Sequence, residues 1–185
     1  MIDPFQFENP ASIPGFTFTT EPVIRQGCII YPNVSVGSNF ITGHNVVIRS
    51  KVTIGDYVLL GTNTVIDGDV KIGDYVKIET GCYLPPGVTI GSRVFIGPNV
   101  TFTNDLFPLK RREDYTVSQT TVGDNVSFGA GSVVLPGINI GSAVFIAAGA
   151  VVTKDVPSES LVIGNGKIEV LPEKLKGVNH AKSWK

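Results

Sequence analysis

Side chains able to do chemistry are few in this sequence, and their types already narrow the reactions open to it. The 185 residues include two histidines, His44 and His180, and two cysteines, Cys28 and Cys82. Two histidines are too few for most histidine-based zinc sites. Two cysteines make neither a disulfide framework nor a metal cluster. Asp67 and Asp69 have the look of paired carboxylates for acid–base work. The run Lys110-Arg111-Arg112 could meet a nucleotide diphosphate or another phosphate, although Glu113 and Asp114 beside it make a solvated charged loop an equal reading. Asn104, in the stretch Gly97–Asp105 (GPNVTFTND), marks the point where an otherwise regular rhythm stops.

Composition bounds the setting of these residues. Hydrophobic residues make up 42% of the chain, enough for a sizeable core, and the formal charge is −1. Near-neutral charge argues against nucleic acid as a main partner. No apolar run approaches the ~18 residues of a membrane helix. The N-terminal MIDPFQFENP carries acidic residues and no apolar signal segment, which points to the cytoplasm.

What positions the reactive residues is a repeat of six. Large apolar residues recur from Ile24 through Ile30, Val36, Ile48, Ile54, Leu60 and onward to Phe102, with Thr42 as the one polar exception. The phase is lost there and returns at Val122, Phe128, Val134, Ile140, Ile146 and Val152. A second inward residue stands two before each anchor, and glycine often stands one after it. Three after the anchor comes Gly, Asn or Asp at most steps, preceded by proline at Pro32, Pro86, Pro98 and Pro136. Those residue types tolerate positive φ and mark a type II turn. Each unit is therefore a short strand plus a corner, and three units make a triangular coil of 18 residues. Stacked coils satisfy one another's backbone groups while the anchors fill the prism.

The coil fixes distances between residues far apart in sequence. Cys28 and Cys82 are three coils apart, ~14 Å, so they are core fillers and not a disulfide. Arg49 and Lys51 lie one coil beneath Asp67 and Asp69, which makes cross-coil ion pairs the simpler reading of those carboxylates. Glu79 stands in a column that otherwise reads Gly43, Gly61, Gly97. It could orient an amine or accept its proton across a subunit boundary; an exposed corner charge is as good a reading. His44 precedes Asn104 by more than three coils, ~16 Å along the axis, too far for a base at Asn104. A solvated corner histidine is expected there.

Stepping from Phe102 to Val122 covers 20 residues, read as one coil plus two. The segment Thr103–Thr121 has no anchor in phase and is expected to be a loop extruded from one corner. Long loops on rigid scaffolds usually carry function.

Taken together, the hexads resemble those of the left-handed parallel β-helix of hexapeptide-repeat acyltransferases, over about residues 22–157. The handedness and a parallel homotrimer with sites between subunits follow from that resemblance. The stretch VFIGPNVTFTNDLFP is similar to nucleotide-sugar N-acetyltransferases, in which the Asn matching Asn104 lies beside the reacting amine and thioester. In the related maltose and galactoside O-acetyltransferases a catalytic histidine precedes the loop proline; aligned on Pro108, that position is Phe107. A hydroxyl must lose its proton as it attacks a thioester and needs a base, whereas a neutral amine attacks with its own lone pair. The missing imidazole therefore favours an amine acceptor. The preceding coil departs from the family's Tyr–acidic–Gly pattern and reads Pro85-Pro86-Gly87. FIAAGAVVTKDVP resembles the coenzyme A portion of the family: Ala130 and Ala148 would let the pantetheine arm lie on the backbone, with Thr153 and Lys154 near the nucleotide end. The family's Gly-Asn-Pro-Ala continuation is replaced by Gly164-Asn165-Gly166-Lys167.

The sequence thus leads to an all-β chain with an N-terminal cap (1–21), a left-handed β-helix (22–157) with its loop (103–121), and a C-terminal extension (158–185) that could be helical over Leu171–Lys182. The function it suggests is acetyl-CoA-dependent N-acylation of a nucleotide-linked amino sugar, with Asn104 and Glu79 as catalytic residues and Ala130, Ala148, Thr153 and Lys154 on the acyl donor. No metal is expected. O-acetylation of a sugar hydroxyl, or a non-catalytic β-helical assembly module, are the competing readings.

Overall fold

The six-residue units fold as the repeat requires. The structure is a computed structural model that describes residues 15–108 and 116–177. Its short strands fall in turn on three parallel sheets, so the chain is a left-handed β-helix of about eight turns. Face I holds seven strands, from Thr17–Phe18 and Val34–Val36 up to Asn139–Ile140. Face II holds eight, from Ile41–Thr42 up to Ser160–Ile163 and Lys167–Val170. Face III holds seven, from Ile29–Ile30 up to Val151–Val152. Partners are 18 residues apart, as in Val47↔Val65, Lys77↔Phe95 and Val133↔Val151.

Each coil donates to the next through long-range amide bonds such as Leu59 N–H to Val76 O at 3.0 Å and Glu79 N–H to Ile96 O at 2.8 Å. The inward side chains stack into a continuous core in which Phe40, Phe102, Phe128, Ile48, Leu60 and Ile96 are fully buried. Removing such apolar area from water is the main stabilising term, ~25 cal/mol per Å². Left-handed corner residues include asparagines, as expected, but also Lys51, Tyr57, Tyr75, Arg93, Ala143 and Glu159. A non-glycine residue there costs roughly 1 kcal/mol, which the ladder on both sides offsets.

The outward side chains divide the faces. Face I is polar, presenting Ser35, Thr53, Lys71, Thr89, Thr121 and Asn139. Face III presents Ile29, Val47, Val65, Tyr83, Val133 and Val151, and face II includes Ile41, Leu59, Phe95, Phe145 and Leu161.

The loop and the C-terminus differ from the sequence reading. Val88 pairs with Thr120, 32 residues away instead of 18, so fourteen residues are extruded at one corner and no coil is skipped. The step from Phe102 to Val122 is one hexad plus that extrusion, not a coil plus two. The ladder also runs past residue 157: Leu161 and Val162 pair with Phe145 and Ile146. The chain then turns back as an antiparallel strand, Lys167–Val170, which covers the C-terminal edge of face II. A covered edge is protected from further strand pairing, so a strand and not a helix follows the last coil. Only a single 3-10 turn, Glu173–Leu175, forms in the expected helical segment; its remainder from Val178 lies outside the described residues.

Candidate active site

The three edges of the prism treat their backbone amides differently, and this sorts the candidate residues. At the edge between faces I and II every corner amide from Ser38 to Ser142 is capped by a side chain one coil on. Ser38 N–H donates to Asp56 Oδ1 at 2.6 Å, Asp56 to Asp74 Oδ1 at 2.8 Å and Asp74 to Ser92 Oγ at 3.1 Å. Ser92 donates to Asp124 Oδ1 at 2.8 Å, Asp124 to Ser142 Oγ at 3.1 Å and Ser142 to Ser158 Oγ at 3.0 Å. Tyr57 and Tyr75 stack outside this ladder with centroids 4.9 Å apart.

The edge between faces II and III is open. Its matching positions are Gln26, His44, Thr62, Thr80, Pro98, Ala130 and Ala148. The His44 amide is capped by Thr62 Oγ1 at 3.3 Å, and proline has no N–H. The amides of Thr62, Thr80, Ala130 and Ala148 have no partner among the described residues. Ala130 and Ala148 are exposed and stacked one coil apart, with the Gly149 N–H on Ala130 O at 2.8 Å. A side chain added at Gly131 or Gly149, both at positive φ, would meet nothing within 4 Å. This strip of bare backbone is suited to a thin polar ligand. Glu79 belongs to the same edge, half-buried, with its Oε1 2.8 Å from Lys77 Nζ.

Asn104 sits at the third edge, between faces III and I, where the loop leaves the coil. It is half-buried; its Nδ2 donates to Pro86 O at 3.4 Å, and its carbonyl accepts from Ser118 N–H at 3.5 Å. The returning chain closes over Gly87, whose φ is +88° and whose added Cβ would lie 2.5 Å from Val117 Cγ1. Leu106 and Phe107 at the loop's start are 57% and 55% exposed. Lys154 and Thr153 are exposed at this third edge too, and Lys154 stands in the column of Asn104, two coils higher or ~10 Å. Asn104 thus shares an edge with Thr153 and Lys154, and Glu79 shares one with Ala130 and Ala148. Face III separates the two groups within one chain, so a site using both needs a second copy.

Among the other candidates, Arg49 Nη1 pairs with Asp67 Oδ1 at 2.8 Å, and Tyr83 Oη donates to Asp67 Oδ2 at 2.8 Å. Among the described residues Lys51 and Asp69 make no such pair. Cys28 and Cys82 are buried in one inward column, their Sγ atoms 3.2 and 3.1 Å from Gly43 O and Gly97 O. Burial pushes the Cys82 thiol up to about 11. His44, a half-buried corner residue, lines an open cleft of about 250 Å³ with Arg25, Thr62 and Thr80. Arg25 stands one coil below Gly43 in the glycine column, at a position with no glycine to mark it. Lys110, Arg111, Arg112 and His180 lie outside the described residues. No group of metal-binding side chains occurs among the described residues, nor a helix long and apolar enough to cross a membrane.

Comparison with known proteins agrees with this architecture. The bacterial transferase hexapeptide model (six repeats) matches residues 33–68 and 69–104, and the hexapeptide repeat of succinyl-transferase matches 51–86 and 119–154. No curated protein matches the chain. PerB from Caulobacter crescentus, solved in complex with CoA and GDP-perosamine, is 25% identical with a TM-score of 0.53, over 80% of this chain and 56% of its own. The chain therefore spans little more than half the length of PerB. AntD from Bacillus cereus, an N-acyltransferase solved with dTDP-4-amino-4,6-dideoxyglucose and coenzyme A, is 16% identical with a TM-score of 0.57, over 84% of this chain and 82% of its own, a likeness of fold. With its hexads in 18-residue register and the two repeat models covering residues 33–104 and 119–154, the chain belongs to the bacterial hexapeptide-repeat transferase family.

Proposed function

We propose that the protein is an acetyl-CoA-dependent N-acyltransferase that acts on the amine of a nucleotide-linked amino sugar. It works as a cytoplasmic homotrimer, with sites between subunits. The observation that carries this is the base of the loop, which offers an amide, Asn104, and an exposed Phe107 where an O-acyltransferase needs an imidazole. PerB was solved with CoA and GDP-perosamine, and AntD, with the same fold, with CoA and an amino-sugar nucleotide; both support the acceptor class. The apolar outer surfaces of faces II and III, against a polar face I, support burial of two faces between copies.

In the reaction the neutral amine attacks the thioester carbonyl carbon, the carbon–sulfur bond breaks, and its electron pair leaves with sulfur. The proton released from nitrogen ends on that thiolate or in solvent. Asn104 orients the amine or the thioester. Glu79 of a neighbouring copy, held by Lys77, helps place the amine and collect its proton. The open amides of Ala130 and Ala148 lie against the pantetheine arm, and such fixed donors can stabilise the developing oxyanion. Thr153 and Lys154 meet the nucleotide end, where the ammonium acts as a point charge on phosphate. Positioning supplies much of the acceleration.

The test is a panel of nucleotide sugars, amino beside hydroxyl, scored by thiol released from acetyl-CoA. Turnover confined to the amino sugars is expected. Turnover of the hydroxyl sugars, or none with any acceptor, would overturn the proposal.

A further inference from the structure

The cleft at the lower end of the open edge has no part in the chemistry above. Its floor is a stretch without side chains, Gly43 and Gly61, because an added Cβ would lie 2.4 Å from Thr62 N or 2.5 Å from Glu79 C and Thr80 N. Arg25, His44, Leu59, Thr62 and Thr80 line the rest of it, and Arg25 Nη1 also donates to Thr42 O at 2.7 Å. Packing alone explains the glycines, but not what surrounds them. Thr62 Oγ1 accepts from the His44 amide, so its own proton must turn elsewhere. The amides of Thr62 and Thr80 have no partner among the described residues. Lys77 stands one coil above Leu59 and pairs with Glu79 at 2.8 Å. The residues lining the cleft thus carry a guanidinium, an imidazole, hydroxyls and two open amides around a space too small for a whole drug-sized ligand.

We infer that this cleft binds the diphosphate of a nucleotide. Unpaired amides beside cations form an anion-binding concavity, and Arg suits phosphate oxygens through paired donors. The diphosphate belongs to the acceptor and not to coenzyme A. With Asn104 supplied across the boundary by a second copy at the same height, Thr80 and Thr62 lie roughly 6 and 11 Å below it along the axis, on the side where the phosphates beyond a sugar ring would fall, whereas the donor residues Ala130 to Lys154 lie above it. The inference rests on the acyltransferase reading for its assignment to the acceptor. His44 serves here as a binding group for the far end of the substrate and not as the base.

Calorimetric titration of the full chain with GDP, dTDP and coenzyme A tests it. The variants are Arg25→Gln with His44→Gln, and separately Thr80→Pro, which removes one amide where Pro98 shows that the column accepts proline. Each variant should weaken nucleoside diphosphate binding about tenfold and leave coenzyme A within twofold. Nucleoside diphosphate affinity unchanged in both variants, or undetectable in the parent protein, would overturn the inference; so would an equal loss for coenzyme A, since the cleft would then serve the donor. Nucleoside diphosphate binding that depends on the cleft, in a protein that acylates no amino sugar, would uphold the cleft and sink the acyltransferase reading alone.

Discussion

Two edges of the same prism are built from the same hexad and end in opposite states. Between faces I and II, the residue after each glycine is Ser or Asp, and the side chains of Asp56, Asp74, Ser92, Asp124, Ser142 and Ser158 each close the amide one coil below. Between faces II and III, the equivalent positions are Gln, His, Thr, Pro and Ala, and the amides of Thr62, Thr80, Ala130 and Ala148 have no partner among the described residues. An unpaired N–H exposed to water costs little, but it is a donor fixed in place for a ligand. The closed edge holds the coil together; the open edge, with Asn104 across face III, is where binding can occur. A repeat fold can therefore place its function by what it leaves uncapped.

The comparison can be broken by substitutions on either side of it. Asn104→Ala should have the largest effect, lowering kcat/KM about a hundredfold with little change in thermal stability. Turnover within twofold of the parent would remove Asn104 from the mechanism. Ala148→Pro deletes one open amide, again at a column that holds Pro98. The KM for acetyl-CoA should rise, or kcat fall, about tenfold, and the melting temperature should hold. On the closed edge the outcomes should invert. Asp74→Ala uncaps Asp56 and should cost about 1 kcal/mol of stability, a fall of ~2–4 °C in Tm, while kcat/KM stays put. A loss of activity there that exceeds the loss of folded protein would erase the distinction.

The smallest effect concerns the buried thiol behind the open edge. Burial raises the Cys82 thiol from 9.0 to about 11, so the folded state favours the neutral form. That contribution is complete below pH 9 and is lost as pH rises toward 11. The parent protein should lose stability over that window more steeply than Cys82→Ala, as followed by thermal melts at successive pH values.

The core of this fold was plain in the sequence because a six-residue period with inward anchors has few other solutions. The ends were harder to read. Ser160–Ile163 continues face II without the glycine and turn residues of earlier hexads, so the register survives where the pattern fades. Left-handed corners at Tyr57, Tyr75 and Ala143 were illegible as well, because the neighbouring coils impose a conformation that those residue types do not advertise. The columns brought Glu79 and the paired Arg49 and Asp67 into view. The state of the amides stayed hidden: Thr62 caps one at His44 while its own remains open, and only geometry distinguishes these. Arg25 is illegible for a simpler reason: its coil lies at the start of the pattern, where the glycine signal has not begun.

The central claim is that one edge has its amides closed and the other has them open for ligand. Residue-resolved amide hydrogen exchange reads this most directly. In the free protein the amides of Asp56, Asp74, Ser92 and Asp124 should exchange at least about a hundredfold more slowly than those of Thr62, Thr80, Ala130 and Ala148. Saturating coenzyme A should then slow Ala130 and Ala148 alone among the open four. Equal protection on the two edges, or coenzyme A protecting the amides between faces I and II, would contradict the account.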